Sequence, residues 1–331
     1  MSISPYRKVD EYGFERPDNF SYLVYDKFVS HYMRVLTRRA QRWNLVFRGN
    51  SEYKKSNTLK RFVRKGIPSH LRINCWMVVS GGEKLKNQSS LSYLEMKDKN
   101  RKTKVIESIQ IDLPRTFPDN IFFSSEDNLF STMLYDVLAT FAQQNSEVGY
   151  CQGLNYIVGL TLLVTKDEEA SFWLLKVLVE QMLPKYYVKT MSGLLTDLDV
   201  LNELVQKAEP VVHRHIQNVG MPWAMGTTKW FICLYADVLP PETVLRIWDC
   251  LFYEGSKIIF RVALALIKIH KDVILQTSDL SELMAVFRDM KNHERVIDCH
   301  KFMSDVFALS GSLSNSKIQK LRERYCKKDK T

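Results

Sequence analysis

Helical periodicity, which recurs along most of the chain, is the feature that most constrains its fold. Between residues 129 and 141 the apolar residues are spaced by three and four, which aligns them on one face of an amphipathic helix. The run from Pro241 to Gly255 repeats this spacing between a proline start and a glycine stop, and residues 256–274 follow as a strongly apolar helix. Alternating runs joined by Asn-Gly or Asp-Gly turns are not found. The sequence therefore predicts an all-α fold of many short helices with brief connections.

The composition is that of a globular protein without stabilising crosslinks. Of the 331 residues, 45% are hydrophobic and 25% are charged, which suffices for a core that needs neither disulfides nor a metal. The six cysteines form no C-x-x-C pair, and the N-terminus shows no apolar secretory leader. The longest apolar run, residues 154–164, is shorter than the ~20 residues that span a bilayer. We therefore expect a cytoplasmic protein whose membrane association, if any, is peripheral.

The net charge of +10 is concentrated in one stretch of the chain. Residues 31–65 contain 11 lysines and arginines but a single acid, Glu52, and a smaller basic cluster lies near the C-terminus. Such runs are typical of solvated helix faces, and they also suit an acidic partner or an anionic membrane surface. Both interpretations of residues 31–65 stay open. No nucleic acid is expected as a partner, because no nucleic-acid-binding motif or pattern of stacking aromatics accompanies the charge.

The sequence lacks the motifs of several common enzyme classes. It contains no glycine-rich phosphate loop, no G-x-S-x-G elbow and no H-E-x-x-H pair. We therefore expect no nucleotide, metal or other cofactor bound by the chain on its own.

A stiff turn is predicted around Arg115, within residues 109–120, which we call the arginine segment. Pro114 and Pro118 flank the arginine, and Pro118 biases Phe117 toward extended geometry. An arginine held on such a turn presents a planar fork of donors that suits phosphate oxygens.

A second interruption of the helical pattern covers residues 145–153, which we call the glutamine segment. Gln152 is expected in the first turn of the apolar helix formed by residues 154–164. The N-terminus of that helix suits an anion, and Gly149 and Gly153 permit tight turns and close approach by a ligand.

An arginine and an amide aimed at one anionic site would suit phosphoryl transfer. Arg115 would offset developing negative charge, while Gln152 would orient an attacking water. On pattern alone, a solvent-facing arginine and a satisfied helix-cap glutamine are the commoner interpretations of these two residues.

Three short motifs occur in a characteristic order. They are R-x-x-x-W, I-x-x-D-x-x-R and G-Y-x-Q-G, here carried by Arg72 and Trp76; by Ile109, Asp112 and Arg115; and by Gly149, Tyr150, Gln152 and Gly153. With these motifs, residues from about 64 to 305 resemble the TBC domain, the catalytic module of GTPase-activating proteins for Rab GTPases.

The resemblance implies an all-helical, V-shaped domain whose groove receives a GTP-bound Rab GTPase. It implies that Arg115 is an arginine finger and Gln152 a glutamine finger, both supplied in trans. GTP and Mg²⁺ would belong to the partner, so the chain would activate hydrolysis without a turnover of its own. An adaptor that binds Rab with little catalytic effect is the alternative.

The resemblance also implies a division into three parts. Residues 1–63 would be an N-terminal extension with a basic helical segment. Residues 64–308 would be the TBC domain, and residues 309–331 a basic C-terminal helix or tail.

The remaining motif residues are expected to support the two fingers. Asp112 would either accept a hydrogen bond that fixes the Arg115 guanidinium or form a salt bridge at a helix end. Tyr150 and Asn155 would shape the pocket or hold the fingers, although an amide such as Asn155 commonly satisfies a neighbouring backbone group.

Arg72, Trp76 and Cys151 are not expected to react. Arg72 and Trp76 are four residues apart on one helix face, and we interpret them as architectural. A nucleophilic role for Cys151 would need a base and an activating environment, and no histidine lies near it in the sequence.

Overall fold

The computed structural model describes residues 8–16, 22–47, 53–97, 103–124 and 128–328. The chain divides into two compact units, Met1–Val177 and Leu178–Thr331. Helices dominate both units, and no β-strand occurs among the described residues. The predicted all-α class is confirmed.

The first unit contains nine helices in the described residues. They are α1 Tyr22–Val46, α2 Asn57–Lys65, α3 Ser69–Ser80, α4 Gly82–Gln88, α5 Tyr93–Lys97, α6 Thr103–Asp112, α7 Leu129–Gln144, α8 Leu154–Thr165 and α9 Glu168–Val177. Two isolated antiparallel bridges, Val9 with Glu15 and Phe14 with Asn120, connect non-helical residues.

Helix α8 lies at the centre of the first unit. It packs against α3, α7 and α9, and nearly all its residues are buried, which explains why its sequence is apolar on every side. The predicted helix over residues 129–141 is confirmed as α7, whose first turn is capped by the Asn128 side chain accepting from the Phe130 N–H at 3.0 Å.

The second unit continues the helical pattern. Its described elements are a π-helical turn Leu178–Met182, α10 Ser192–Ala208, α11 Pro210–Val219, α12 Trp223–Ile232, α13 Pro241–Glu254, α14 Lys257–Ile269, α15 Lys271–Gln276, α16 Leu280–Asp289, a 3₁₀ turn Met290–Asn292, α17 Glu294–Ile297, α18 Cys299–Leu309 and α19 Asn315–Lys328.

One predicted helix is divided in the structure. The helix expected over residues 256–274 becomes α14 and α15, which are separated at His270. The His270 ring is buried, and its Nδ1 lies 2.8 Å from the Leu266 carbonyl oxygen of the preceding turn. A side chain that competes for a helical carbonyl in this way weakens the continuation of the helix.

The C-terminal helix α19 packs on α10. Arg322 donates to both oxygens of Asp197, at 2.7 and 2.6 Å, and Asp197 is fully buried. A buried carboxylate needs such a partner, because an unpaired charge in the interior is costly. The predicted division at residues 63/64 and 308/309 stays a prediction.

No helix among the described residues has both the length and the apolar character needed to cross a membrane. Residues 48–52 of the basic segment 31–65 lie outside the described residues.

Candidate functional site

The arginine segment begins on a helix and turns sharply after it. Helix α6 ends at Asp112, whose carboxyl side chain is only 3% exposed. The Arg115 guanidinium is half exposed and forms an ion pair with the Asp112 carboxylate. Both of the contacts considered for these two residues, a hydrogen bond and a helix-end ion pair, are present in this one interaction. The Thr116 hydroxyl also donates to the Asp112 carbonyl oxygen at 2.7 Å, which tightens the turn.

Phe117 does not adopt the extended geometry that Pro118 was expected to favour. Its φ is +50°, in the left-handed region that bulky residues rarely occupy. The ring is buried and packs edge-on against Phe14 and Tyr156, with centroids 5.2 and 5.4 Å apart. These contacts offset a backbone cost of about 1–3 kcal/mol, so tertiary packing overrides the local preference.

The glutamine segment leads into α8 through two glycines. Gly149 has a φ of +60° and Gly153, the N-cap residue of α8, a φ of +109°, so both use conformations that favour glycine. Gln152 lies in the turn just before this cap, not in the first helical turn as expected. Its side chain is exposed, and no hydrogen bond to its amide is found among the described residues.

Two sets of side-chain hydrogen bonds join the arginine and glutamine segments. In the first, the Tyr150 hydroxyl donates to Asp112 Oδ2 at 2.5 Å. In the second, Asn155 Nδ2 donates to Thr116 Oγ1 at 2.8 Å, while Asn155 Oδ1 accepts from the Gly153 N–H at 3.0 Å. Asp112, Arg115, Tyr150, Gly153 and Asn155, all predicted site residues, therefore belong to one network.

Burial raises the pKa of two side chains in the glutamine segment, Tyr150 and Cys151. Burial, together with the bond to Asp112, raises the pKa of Tyr150 well above its ordinary value, so the hydroxyl stays a neutral donor. Burial and the Asp112 carboxylate raise the pKa of the Cys151 thiol to about 11. A thiol that stays protonated at neutral pH is a poor nucleophile, which argues against thiol chemistry at Cys151.

Two further residues of α8, Gly159 and Tyr156, which the motifs do not include, contact the arginine segment. A Cβ at Gly159 would lie 3.1 Å from the Phe117 ring and 3.2 Å from the Thr116 methyl, so this glycine permits the close approach of the segment. The Tyr156 hydroxyl donates to the Arg115 carbonyl oxygen at 3.3 Å.

The sequence contains a signal for Gly159 but not for Thr116, which the motifs also leave out. Gly159 follows Asn155 by one helical turn on the same face of α8, directly after the G-Y-x-Q-G motif. Thr116 adjoins Arg115, but nothing local indicates that it faces Asn155.

Arg72 and Trp76 lie on α3 and are both buried, at 2% and 0% exposure. Arg72 donates to the Tyr12 hydroxyl at 3.0 Å, which connects α3 to the N-terminal residues. Their burial is consistent with the architectural role, which stays a prediction.

The described residues offer no metal-binding group of three or more His, Cys, Asp or Glu side chains. The Arg115 guanidinium belongs to the network and is half exposed, while the exposed primary amide of Gln152 lies outside the network, next to Gly153. A guanidinium can bind an anion, and a primary amide can orient a water molecule.

The chain is similar to known proteins that share one domain family. The family model of the Rab-GTPase-TBC domain matches residues 69–275. The chain is 46% identical over 319 residues to Growth hormone-regulated TBC protein 1 of Xenopus laevis, with 96% of this chain and 93% of the relative covered. The human protein of the same name is 45% identical over 317 residues, with 96% and 94% covered. The crystal structure of the Chlamydomonas flagellar RabGAP TBC domain aligns with a TM-score of 0.80 at 34% identity, covering 92% of this chain and 100% of that one.

We predict that Thr116→Val lowers the free energy of unfolding by about 1–3 kcal/mol, because the buried Asn155 amide loses its acceptor. The change preserves the shape of the side chain and removes only the hydroxyl that joins the two segments. Urea denaturation of the purified variant measures the loss.

The matched control is Thr161→Val on α8. Thr161 is also buried, but its hydroxyl donates only within the helix, to the Ile157 carbonyl at 2.7 Å. That carbonyl already accepts a helical N–H, so we expect a smaller loss. Equal losses for the two variants would show that the hydrogen bond between Asn155 and Thr116 adds nothing specific to the free energy of unfolding.

Proposed function

The chain belongs to the Rab-GTPase-TBC domain family, and from this premise we propose that it accelerates GTP hydrolysis in a bound Rab GTPase. The supporting observation is the hydrogen-bond network that connects the two segments carrying the exposed side chains of Arg115 and Gln152. Both side chains are exposed to a partner, although Arg115 is also ion-paired with Asp112, and hydrogen bonds hold the backbone that carries them. A role in vesicle trafficking, the process that Rab GTPases control, follows from this proposal, as does a cytoplasmic location.

Arg115 would act as the arginine finger. Its guanidinium would contact the phosphate oxygens of GTP, where negative charge increases in the transition state. The ion pair with Asp112 holds the guanidinium by one of its nitrogens, Nη2, and leaves half of the side chain exposed. An arginine of this kind is worth about 10³–10⁵ in rate.

Gln152 would position the attacking water in place of a glutamine of the GTPase. A water-positioning amide must keep both its oxygen and its NH₂ group available. The exposed Gln152 amide satisfies this requirement in the free protein. GTP and Mg²⁺ would come with the GTP-bound partner, so the chain would need no cofactor of its own.

We predict that Arg115→Ala lowers the stimulated rate of GTP hydrolysis by about 10³-fold or more. Arg115→Lys should lose most of it too, because an ammonium lacks the planar fork. Gln152→Ala should cost about 10²-fold through a misplaced water. Single-turnover hydrolysis across a panel of purified Rab GTPases measures these rates, and binding to the GTP-loaded partner is measured in parallel.

Arg214→Ala is the matched control, because Arg214 is an exposed arginine of α11 that lies outside the network. It should leave the rate unchanged in solution. Stimulation that survives both finger substitutions would contradict the dual-finger mechanism. Binding of GTP-loaded Rab without acceleration of any panel member would support the adaptor instead.

A second candidate function is contact with an anionic membrane surface through the basic segment. On α1, Arg34, Arg38 and Arg42 are exposed and four residues apart, so they share one helix face, and Leu45, 66% exposed, continues the same stripe. Basic residues beside an exposed apolar side chain suit a lipid interface. Arg39 is buried and belongs to the other face.

We predict that the chain sediments with vesicles of phosphatidylcholine and phosphatidylserine, but not with phosphatidylcholine alone. Changing Arg34, Arg38 and Arg42 to Glu should weaken this binding at least about tenfold, since each basic residue contributes about 1 kcal/mol. The matched control makes the same charge change at exposed positions of the second unit, Arg288, Lys317 and Lys320. Equal losses for the two triple variants would attribute the binding to net charge alone, and an unaffected α1 variant would refute the proposal.

A further inference from the structure

We propose that residues 8–16, which we call the N-terminal brace, position the arginine segment for catalysis. Gly13 and Phe14 would be positioning residues that act on Arg115 through Phe117 and Thr116. This inference rests on the proposed function and extends it to a part of the chain predicted to be an extension outside the domain.

The carboxylate of Asp10 binds backbone groups within the brace and stabilises its turn. Asp10 Oδ1 accepts from the backbone N–H groups of Tyr12 and Phe14, both at 2.9 Å. Val9 and Glu15 form an antiparallel bridge, and the Arg16 N–H donates to the Lys8 carbonyl at 3.0 Å. The nine residues therefore form a hairpin-like turn with a defined backbone.

Backbone hydrogen bonds attach the brace to the end of the arginine segment. The Glu15 N–H donates to the Asp119 carbonyl at 2.8 Å, and the Ile121 N–H donates to the Gly13 carbonyl at 2.9 Å. The fully buried Asn120 donates from Nδ2 to the Tyr12 carbonyl at 2.9 Å. This alternation of donors from both sides is the pattern of paired strands, and it fixes the register of the contact.

Side-chain packing makes the contact specific to two residues of the brace. The Phe14 ring meets the buried Phe117 ring edge-on at 5.2 Å, an arrangement that aromatic pairs prefer. Gly13 has a φ of +90°, and a Cβ there would lie 2.5 Å from the Phe122 ring. Any other residue at position 13 would therefore displace the Phe122 ring and crowd Asn120 Oδ1, 3.0 Å away, at the end of the arginine segment.

The brace is anchored on its other side by α3. The Tyr12 hydroxyl accepts from Arg72 at 3.0 Å, and both residues are buried. The R-x-x-x-W motif is thereby connected to the arginine segment, with Tyr12 and Asn120 between them. This contact supplies a physical reason for Arg72 that the motif alone does not.

Only a few contacting residues lie between the brace and the Arg115 guanidinium. Phe117, which Phe14 holds in its left-handed conformation, directly follows Thr116, and Thr116 bonds both Asp112 and Asn155. A shift of Phe117 would disturb both bonds and hence the position of Arg115. A misplacement of about 1 Å at a catalytic group can cost about 10²-fold in rate.

The test compares the full chain with its Gly13→Ala and Phe14→Ala variants in single-turnover hydrolysis with a responsive Rab GTPase. We expect the maximal stimulated rate to fall about tenfold or more, with the dissociation constant for the GTP-loaded partner unchanged. Phe14→Leu, which keeps an apolar side chain, should recover part of the rate. Leu94→Ala, at a position 68% exposed on α5, is the control and should match the wild type.

Hydrogen exchange of the free protein tests the contact without a GTPase. In both variants the amides of Glu15 and Ile121, which donate across the contact, should exchange faster than in the wild type. Faster exchange with an unchanged maximal rate would overturn the positioning role, and so would unchanged exchange.

Weaker partner binding at an unchanged maximal rate would likewise refute it and make the brace a docking surface. A wild type that stimulates no Rab GTPase would refute the proposed function and the positioning role together, whereas the exchange rates would still report on the contact itself.

Discussion

The buried carboxylate of Asp112 is the group on which the arrangement of the site depends. A charge 3% exposed to solvent is costly unless it is paired and hydrogen-bonded. Arg115 supplies the opposite charge from the same turn, and Tyr150 supplies a hydroxyl from the glutamine segment at 2.5 Å. Satisfying one carboxylate therefore ties together two segments that are far apart in the sequence. It also holds the guanidinium by one nitrogen while half of the Arg115 side chain faces solvent.

Helix α8 is the buried element on which the arginine segment, with its Asp112–Arg115 pair, packs. Its apolar surface is buried on every side, and Asn155 and Gly159 face the arginine segment from consecutive turns. The strained backbone of Phe117 is maintained by the rings around it, which include Phe14 of the N-terminal brace. Strain of this kind persists only where the surrounding packing determines the conformation, and it is frequent at functional sites. Arg115 and Gln152 are thus exposed side chains on segments that several independent hydrogen bonds and ring contacts hold in place.

The sequence predicted those features that depend on local pattern. Helix α7 was predicted because the apolar spacing of residues 129–141 is a property of the helix itself, and Asp112 was placed beside Arg115 because three residues separate them. The hydrogen bond between Asn155 and Thr116, by contrast, joins residues 39 positions apart, and such a contact produces no periodic pattern in the sequence. The contact of Tyr12 with Asn120 spans 108 residues, so the brace was assigned to an extension. Phe117 was wrongly expected to be extended, because tertiary packing outweighed the preference imposed by Pro118.

In this arrangement Tyr150 acts on Arg115 through Asp112, and a double-mutant cycle measures that coupling directly. The stimulated single-turnover rate is measured for the wild type, Tyr150→Phe, Arg115→Ala and the double variant. If the hydroxyl serves to position the arginine, Tyr150→Phe slows the wild type but produces no further loss once Arg115 is absent. An equal loss in both backgrounds would show that the two residues act independently, and it would contradict the account of a single joined site.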